Sequence, residues 1–144
     1  MTKSYAAENA IERQRLLDLT AKLTEENLNH LMPNGWTVAG TLVHLAYWEL
    51  YYLALLQEWE KTGFQAVSAN VKAVNAAVSR LSQAIPVLAV LLLAREAAEA
   101  IDRKVEEIAP ELAAAIEAGG HRIILRRFWH RREHLDQIVS VLGY

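Results

Sequence analysis

The groups in this chain best suited to chemistry are its five histidines: His30, His44, His121, His130 and His134. Two of them form the motif His130-Arg-Arg-Glu-His134. On a helix, an i,i+4 spacing stacks two side chains one turn apart on one face, so both imidazoles reach a single metal ion. At about 100° per residue, Ile123, Arg127, His130, His134, Gln137 and Val141 share a narrow arc. The adjoining arc holds Ile124, Phe128, Leu135, Ile138 and Leu142, an apolar face that must be buried. The pair therefore borders a core, where helical bundles build their metal sites.

His44 offers a third ligand. It shares a helix face with Thr37, Thr41, Trp48, Tyr51 and Leu55. A lone histidine on such a stripe is ordinarily a core residue hydrogen-bonded to a neighbour. Two further histidines on another helix change that reading to a divalent metal site made by His44, His130 and His134. Three neutral imidazoles leave coordination positions open for water or substrate. Cysteine is absent, so thiolate ligands and a cysteine nucleophile are excluded. Imidazoles suit zinc or nickel above all, with iron or copper also compatible.

Arg127 lies one turn before His130 and is a candidate to hold an anionic substrate group. Tyr51 is a candidate to donate its hydroxyl to a bound water or substrate. Glu49 and Glu133 are carboxylates that could orient an imidazole or act as a general base, but they fall away from the ligand arc and are not placed in the site. His121 follows Gly119-Gly120 in a loop, and His30 ends the first helix, where a cation is favoured by the helix dipole. Neither is placed in the site. Arg122, Arg126, Arg127, Arg131 and Arg132 form a basic cluster whose plainest reading is a solvated helix surface.

The elements that position these residues are helices. Amphipathic periodicity covers about residues 5–29, followed by a turn at Met32-Pro33-Asn34-Gly35. Thr37 is an N-cap for a helix to about Lys61, closed by Gly63. A weaker helix covers about 68–84. Pro86 suits the first turn of the next, which runs to about Ile108. A short piece follows over 110–118, and the last helix is expected over about 122–142. The long connection after the second helix predicts an up-down-down-up four-helix bundle with one crossover, against a plain up-and-down five-helix bundle as the alternative.

A length of 144 residues fits one domain, 1–144, and 53% hydrophobic residues supply a core. Fifteen Lys and Arg against seventeen Asp and Glu argue against a nucleic-acid partner. The longest apolar run, Ala84 to Ala94, is too short for the roughly 20 residues a bilayer needs, so no membrane partner is expected. No apolar leader is seen over Met1 to Arg13, which predicts a cytoplasmic location.

Trp36-Thr37, His44-Leu45, Trp48-Glu49 and His130-x-x-x-His134-x-x-Gln137-Ile138 together resemble the DinB/YfiT-like superfamily. The likeness extends over nearly the whole chain. It implies a four-helix bundle with a divalent metal on His44, His130 and His134. It also implies an activity among metal-dependent hydrolases or thiol-dependent transferases and isomerases, and a homodimer. One position departs: Asp136 stands where members often carry Gly before the Gln. The expected function is a metal-dependent hydrolase or thiol transferase on a small-molecule substrate, with a low-molecular-weight thiol as a possible partner. The alternative is a non-catalytic helical protein with a structural or vestigial metal site.

Overall fold

The computed structural model describes residues 4–144, and among these the regular structure is helical. The elements are α1 (Ser4–Lys22), α2 (Glu25–Asn29), α3 (Val38–Thr62), α4 (Val71–Ser82), α5 (Val87–Glu107), α6 (Pro110–Ala118) and α7 (Phe128–Leu142), with a 3-10 turn at Arg122–Ile124 before α7. The only extended pairing among them is an isolated antiparallel bridge between Leu31 and Thr37. No helix is long and apolar enough to cross a membrane, among the described residues.

The boundaries of α3 follow the expected chemistry. Thr37 is extended and its side-chain oxygen accepts from the Gly40 N–H at 2.9 Å, satisfying a free amide of the first turn. Gly63, at φ 84°, turns the chain out of the helix while its N–H still donates to the Trp59 carbonyl.

Two expectations are corrected. The first helix does not run unbroken to Asn29, because Thr24 ends it and starts α2 with a capping box. Its hydroxyl accepts from the Asn27 N–H at 3.1 Å, and Asn27 Oδ1 accepts from the Thr24 N–H at 3.0 Å. These local bonds compete with continuation of the helix. The last helix begins at Phe128, not near Arg122. The interruption is bridged from α1: Asn9 donates from Nδ2 to the Leu125 carbonyl at 2.9 Å and accepts from the Phe128 N–H at 3.0 Å. A side chain more than a hundred residues away thus caps α7.

Two core clusters carry the packing. One joins Leu16, Leu19 and Leu23 of α1, Leu42 and Leu45 of α3, Val90, Ala94 and Ala98 of α5, and Leu135 and Ile138 of α7. The other joins Tyr5 of α1, Leu55, Leu56 and Trp59 of α3, Ile101 and Val105 of α5, Ile116 of α6 and Phe128 of α7. Near the second cluster, Lys104 of α5 pairs with Glu60 of α3 at 2.8 Å. α4 packs on α3, where the Trp48 indole donates to Asn75 Oδ1 at 2.9 Å.

Candidate metal centre

α3 is almost wholly buried over its first nine residues, Val38 to Ala46, and this anchors His44 in the interior. The Trp36 ring lies 5.0 Å from the His44 ring and covers it from the preceding turn. α7 presents His130 and His134 from the facing side. Their Nε2 atoms lie 3.0 Å from each other, and each lies 3.0 Å from the Nε2 of His44. The i,i+4 pair and the separate α3 histidine thus converge as the spacing predicts, and all three ring nitrogens belong to one candidate metal cluster.

Burial keeps these rings neutral. His44 is lowered to about 4, by burial first and then by His134. Burial also lowers His130, to about 2, with the Arg127 cation adding to the effect. His134 is lowered by burial, opposed by its contact with Gln137. A triangle of three nitrogens cannot be satisfied by hydrogen bonds alone, because each Nε2 carries at most one proton. A shared cation satisfies every lone pair at once. Nitrogens 3.0 Å apart are close enough for all three to reach one ion at the usual imidazole–metal bond length of about 2.0–2.1 Å. The donor set fits a divalent metal.

The outer ring nitrogens are held differently. His134 Nδ1 lies 2.9 Å from Gln137 Oε1, so it donates there and leaves Nε2 free as a ligand. His44 Nδ1 is buried with no well-formed hydrogen bond among the described residues, and nearby Asn75 opposes the effect of burial on this ring. His130 Nδ1 lies 3.2 Å from Arg127 Nη2, and a guanidinium has no acceptor, so the ring nitrogen accepts. Neutral His130 then carries its proton on Nε2, and to bind a metal there as a neutral imidazole it would have to shift that proton to Nδ1 and give up the Arg127 contact.

The histidines line a cavity of about 410 Å³ that also takes in Trp48, Tyr52, Asn75, Ile123, Arg127 and Glu133. Arg127 is fully buried: it donates to the Ile123 carbonyl at 3.0 Å, and its guanidinium stacks 4.6 Å above the Tyr52 ring. Burial lowers its pKa, and Glu49 opposes the shift. Tyr51 lies outside the lining of this cavity and faces the adjoining one, whereas Tyr52 lines both. Glu133 is exposed at the cavity wall.

The basic cluster is a solvated surface only in part: Arg122 and Arg132 are exposed, whereas Arg127 and Arg131 are buried. Arg131 is fully buried on α7, beside His130. It makes bidentate pairs with Glu49 of α3, at 3.0 and 2.8 Å, and with Asp102 of α5, at 2.9 and 2.7 Å. It also donates to the Asn9 carbonyl of α1 at 3.0 Å. Burial works against its charge, but the two carboxylates outweigh this and hold its pKa above the usual arginine value. One guanidinium therefore locks α7, the helix of His130 and His134, to three others. Arg126 pairs with Glu117, and Arg132 with Glu12 at 3.0 Å. Asn9, Glu49, Asp102 and Arg131 were not assigned to this site from the sequence; two carboxylates on otherwise apolar helix faces were the signal for them.

The remaining histidines stay out of the centre. His30 is exposed, and its backbone N–H closes α2. His121 is half-buried instead of solvated, with Nε2 3.2 Å from the Val67 nitrogen and 3.1 Å from its oxygen.

Comparison with curated proteins and with solved structures returns no match. The family model described as the DinB family matches residues 1–95, a span that holds His44 and α1 to α4 and ends before His130 and His134. The all-helical scaffold and the three-histidine cluster agree with that match, and the chain belongs to the DinB family.

Proposed function

We propose that the protein is a metal-dependent enzyme that acts on a small anionic substrate, as a hydrolase or a thiol-dependent transferase. In this reading His44, His130 and His134 hold one divalent ion, zinc or nickel in the first place, with iron or copper as alternatives. The observation that carries it is the convergence of three Nε2 atoms on the wall of a cavity large enough for a small ligand. A divalent ion held there lowers the pKa of a water molecule or a thiol and so supplies a nucleophile at neutral pH.

The chain's own residues set the rest. Three neutral imidazoles leave the ion's charge uncancelled, which favours carboxylates and thiolates over neutral ligands. Arg127 adds a buried positive charge to the same cavity, and Glu133 is a carboxylate able to take up a proton at its edge. Tyr51 acts from the adjoining cavity, on a substrate long enough to reach it. A low-molecular-weight thiol meets the metal through sulfur and Arg127 through a carboxylate.

We infer the scaffold to be an up-down-down-up four-helix bundle with α4 in the crossover. Its support is that the first halves of α3 and α5 share one core cluster and their second halves share the other, while α1 meets them in reverse order. A homodimer in the cytoplasm, without nucleic-acid or membrane partners, completes the reading. Light scattering on the purified chain tests the dimer.

The function is tested by metal analysis of untagged protein and by assays of the loaded form with small thiols, esters and amides. One ion per chain is expected, lost in the His130→Ala/His134→Ala double variant and kept in His30→Ala. Equal metal content in wild type and double variant refutes the site.

A further inference from the structure

A second cavity adjoins the one that holds the three histidines. Trp48, Tyr52, Val71 and Ile123 line the histidine cavity and also line this second one, of about 200 Å³. Tyr51, Val67, Ala69 and His121 belong to that second cavity but not to the first. Its aromatic wall is self-packed: the Trp48 ring stands 5.4 Å from Tyr51 and 5.7 Å from Tyr52, and the two tyrosines are 5.7 Å apart. Two polar side chains of its lining, Trp48 and His121, are engaged elsewhere. The Trp48 indole N–H donates to Asn75, and both His121 ring nitrogens lie within 3.2 Å of backbone atoms of Val67 and Gly119. The loop carrying His121 is fixed by close packing, since a Cβ at Gly119 would lie 2.4 Å from the Phe64 ring. An apolar cavity of roughly 150 Å³ is already enough to hold benzene.

We propose that this annex binds a flat apolar group, aromatic for preference, of the same substrate whose thiolate or carboxylate sits in the metal cavity. The inference rests on the metal reading and adds the substrate's second half. The four shared residues place the two cavities side by side. A ligand that joins a donor group to an aromatic ring through a short linker would occupy both, whereas a short hydrophilic thiol would occupy only the first.

The test uses cobalt(II)-loaded protein, its visible spectrum reporting thiol binding, titrated with phenylmethanethiol and 2-mercaptoethanol. The aromatic thiol is expected to bind at least tenfold more tightly, the low end for even one buried methylene. Ala69 is exposed and lines the annex but not the metal cavity, so Ala69→Trp is chosen to fill it without altering the core. That variant should cut the preference to within about twofold and leave 2-mercaptoethanol unchanged, and Tyr51→Leu should weaken the preference as well. Equal affinities in wild type, or an undiminished preference in Ala69→Trp, overturn the annex. Absence of cobalt binding defeats the metal reading instead. The annex is then judged by saturation-transfer NMR of benzyl alcohol on metal-free protein: binding lost in Ala69→Trp supports it, and no binding overturns it.

Discussion

Acidification of the metal-free protein should destabilise it through the same burial that prepares the histidines to bind metal. An unfolded histidine has a pKa of about 6.5 and is nearly fully protonated at pH 5. Folded His44, at about 4, and His130, at about 2, remain mostly neutral there. The unfolded chain therefore binds more protons, and stability falls as pH drops below 6.5. Between pH 7 and pH 5 each of these two residues removes about 2 kcal/mol, so the pair removes about 4 kcal/mol of a total that is ordinarily 5–15. His134, also lowered by burial, acts in the same direction. The assay is urea unfolding followed by circular dichroism at pH 7, 6 and 5 after chelation. With a slope of about 1–3 kcal/mol per molar urea, the midpoint should move by roughly 2 M. His44→Gln/His130→Gln should flatten the dependence, and saturating metal should restore stability by mass action. A wild-type stability that differs by less than about 1 kcal/mol between pH 7 and 5, or a variant as steep as wild type, refutes the reasoning.

Three further outcomes are expected. Arg131→Met leaves Glu49 and Asp102 buried without their shared guanidinium and should cost about 3–5 kcal/mol by denaturant unfolding, part of it recovered by adding Glu49→Gln and Asp102→Asn; an unchanged midpoint would show the network to be dispensable. Asn9→Leu removes both bonds across the break before α7 and should cost about 2 kcal/mol, with faster exchange of the Phe128 amide; unaltered exchange contradicts the capping role. Arg127→Gln replaces a donor-only partner of His130 Nδ1 with an acceptor, as Gln137 is for His134, and takes a positive charge away from the metal. Metal affinity by competition with a chelator should rise about tenfold, and a fall would mean that Arg127 supports the ligand instead of opposing it.

The sequence by itself determined that His130 and His134 share one helix face, and it determined most helix boundaries. Residues four apart on a helix must share a face, so His130 and His134 were bound to lie together wherever α7 packed. Thr37 and Gly63 delimit α3 through bonds made within a turn of themselves. Tertiary structure decided what those helices meet. Asn9 reaches across 116 residues to Leu125, and Arg131 across 82 to Glu49, and no local periodicity encodes either pairing. The burial of Arg127 and Arg131, the start of α7 at Phe128 and the place of Tyr52 on the metal cavity follow from such contacts. A charged side chain can enter a core only where partners from other helices satisfy it, so its position is a property of the assembled bundle and not of its own helix.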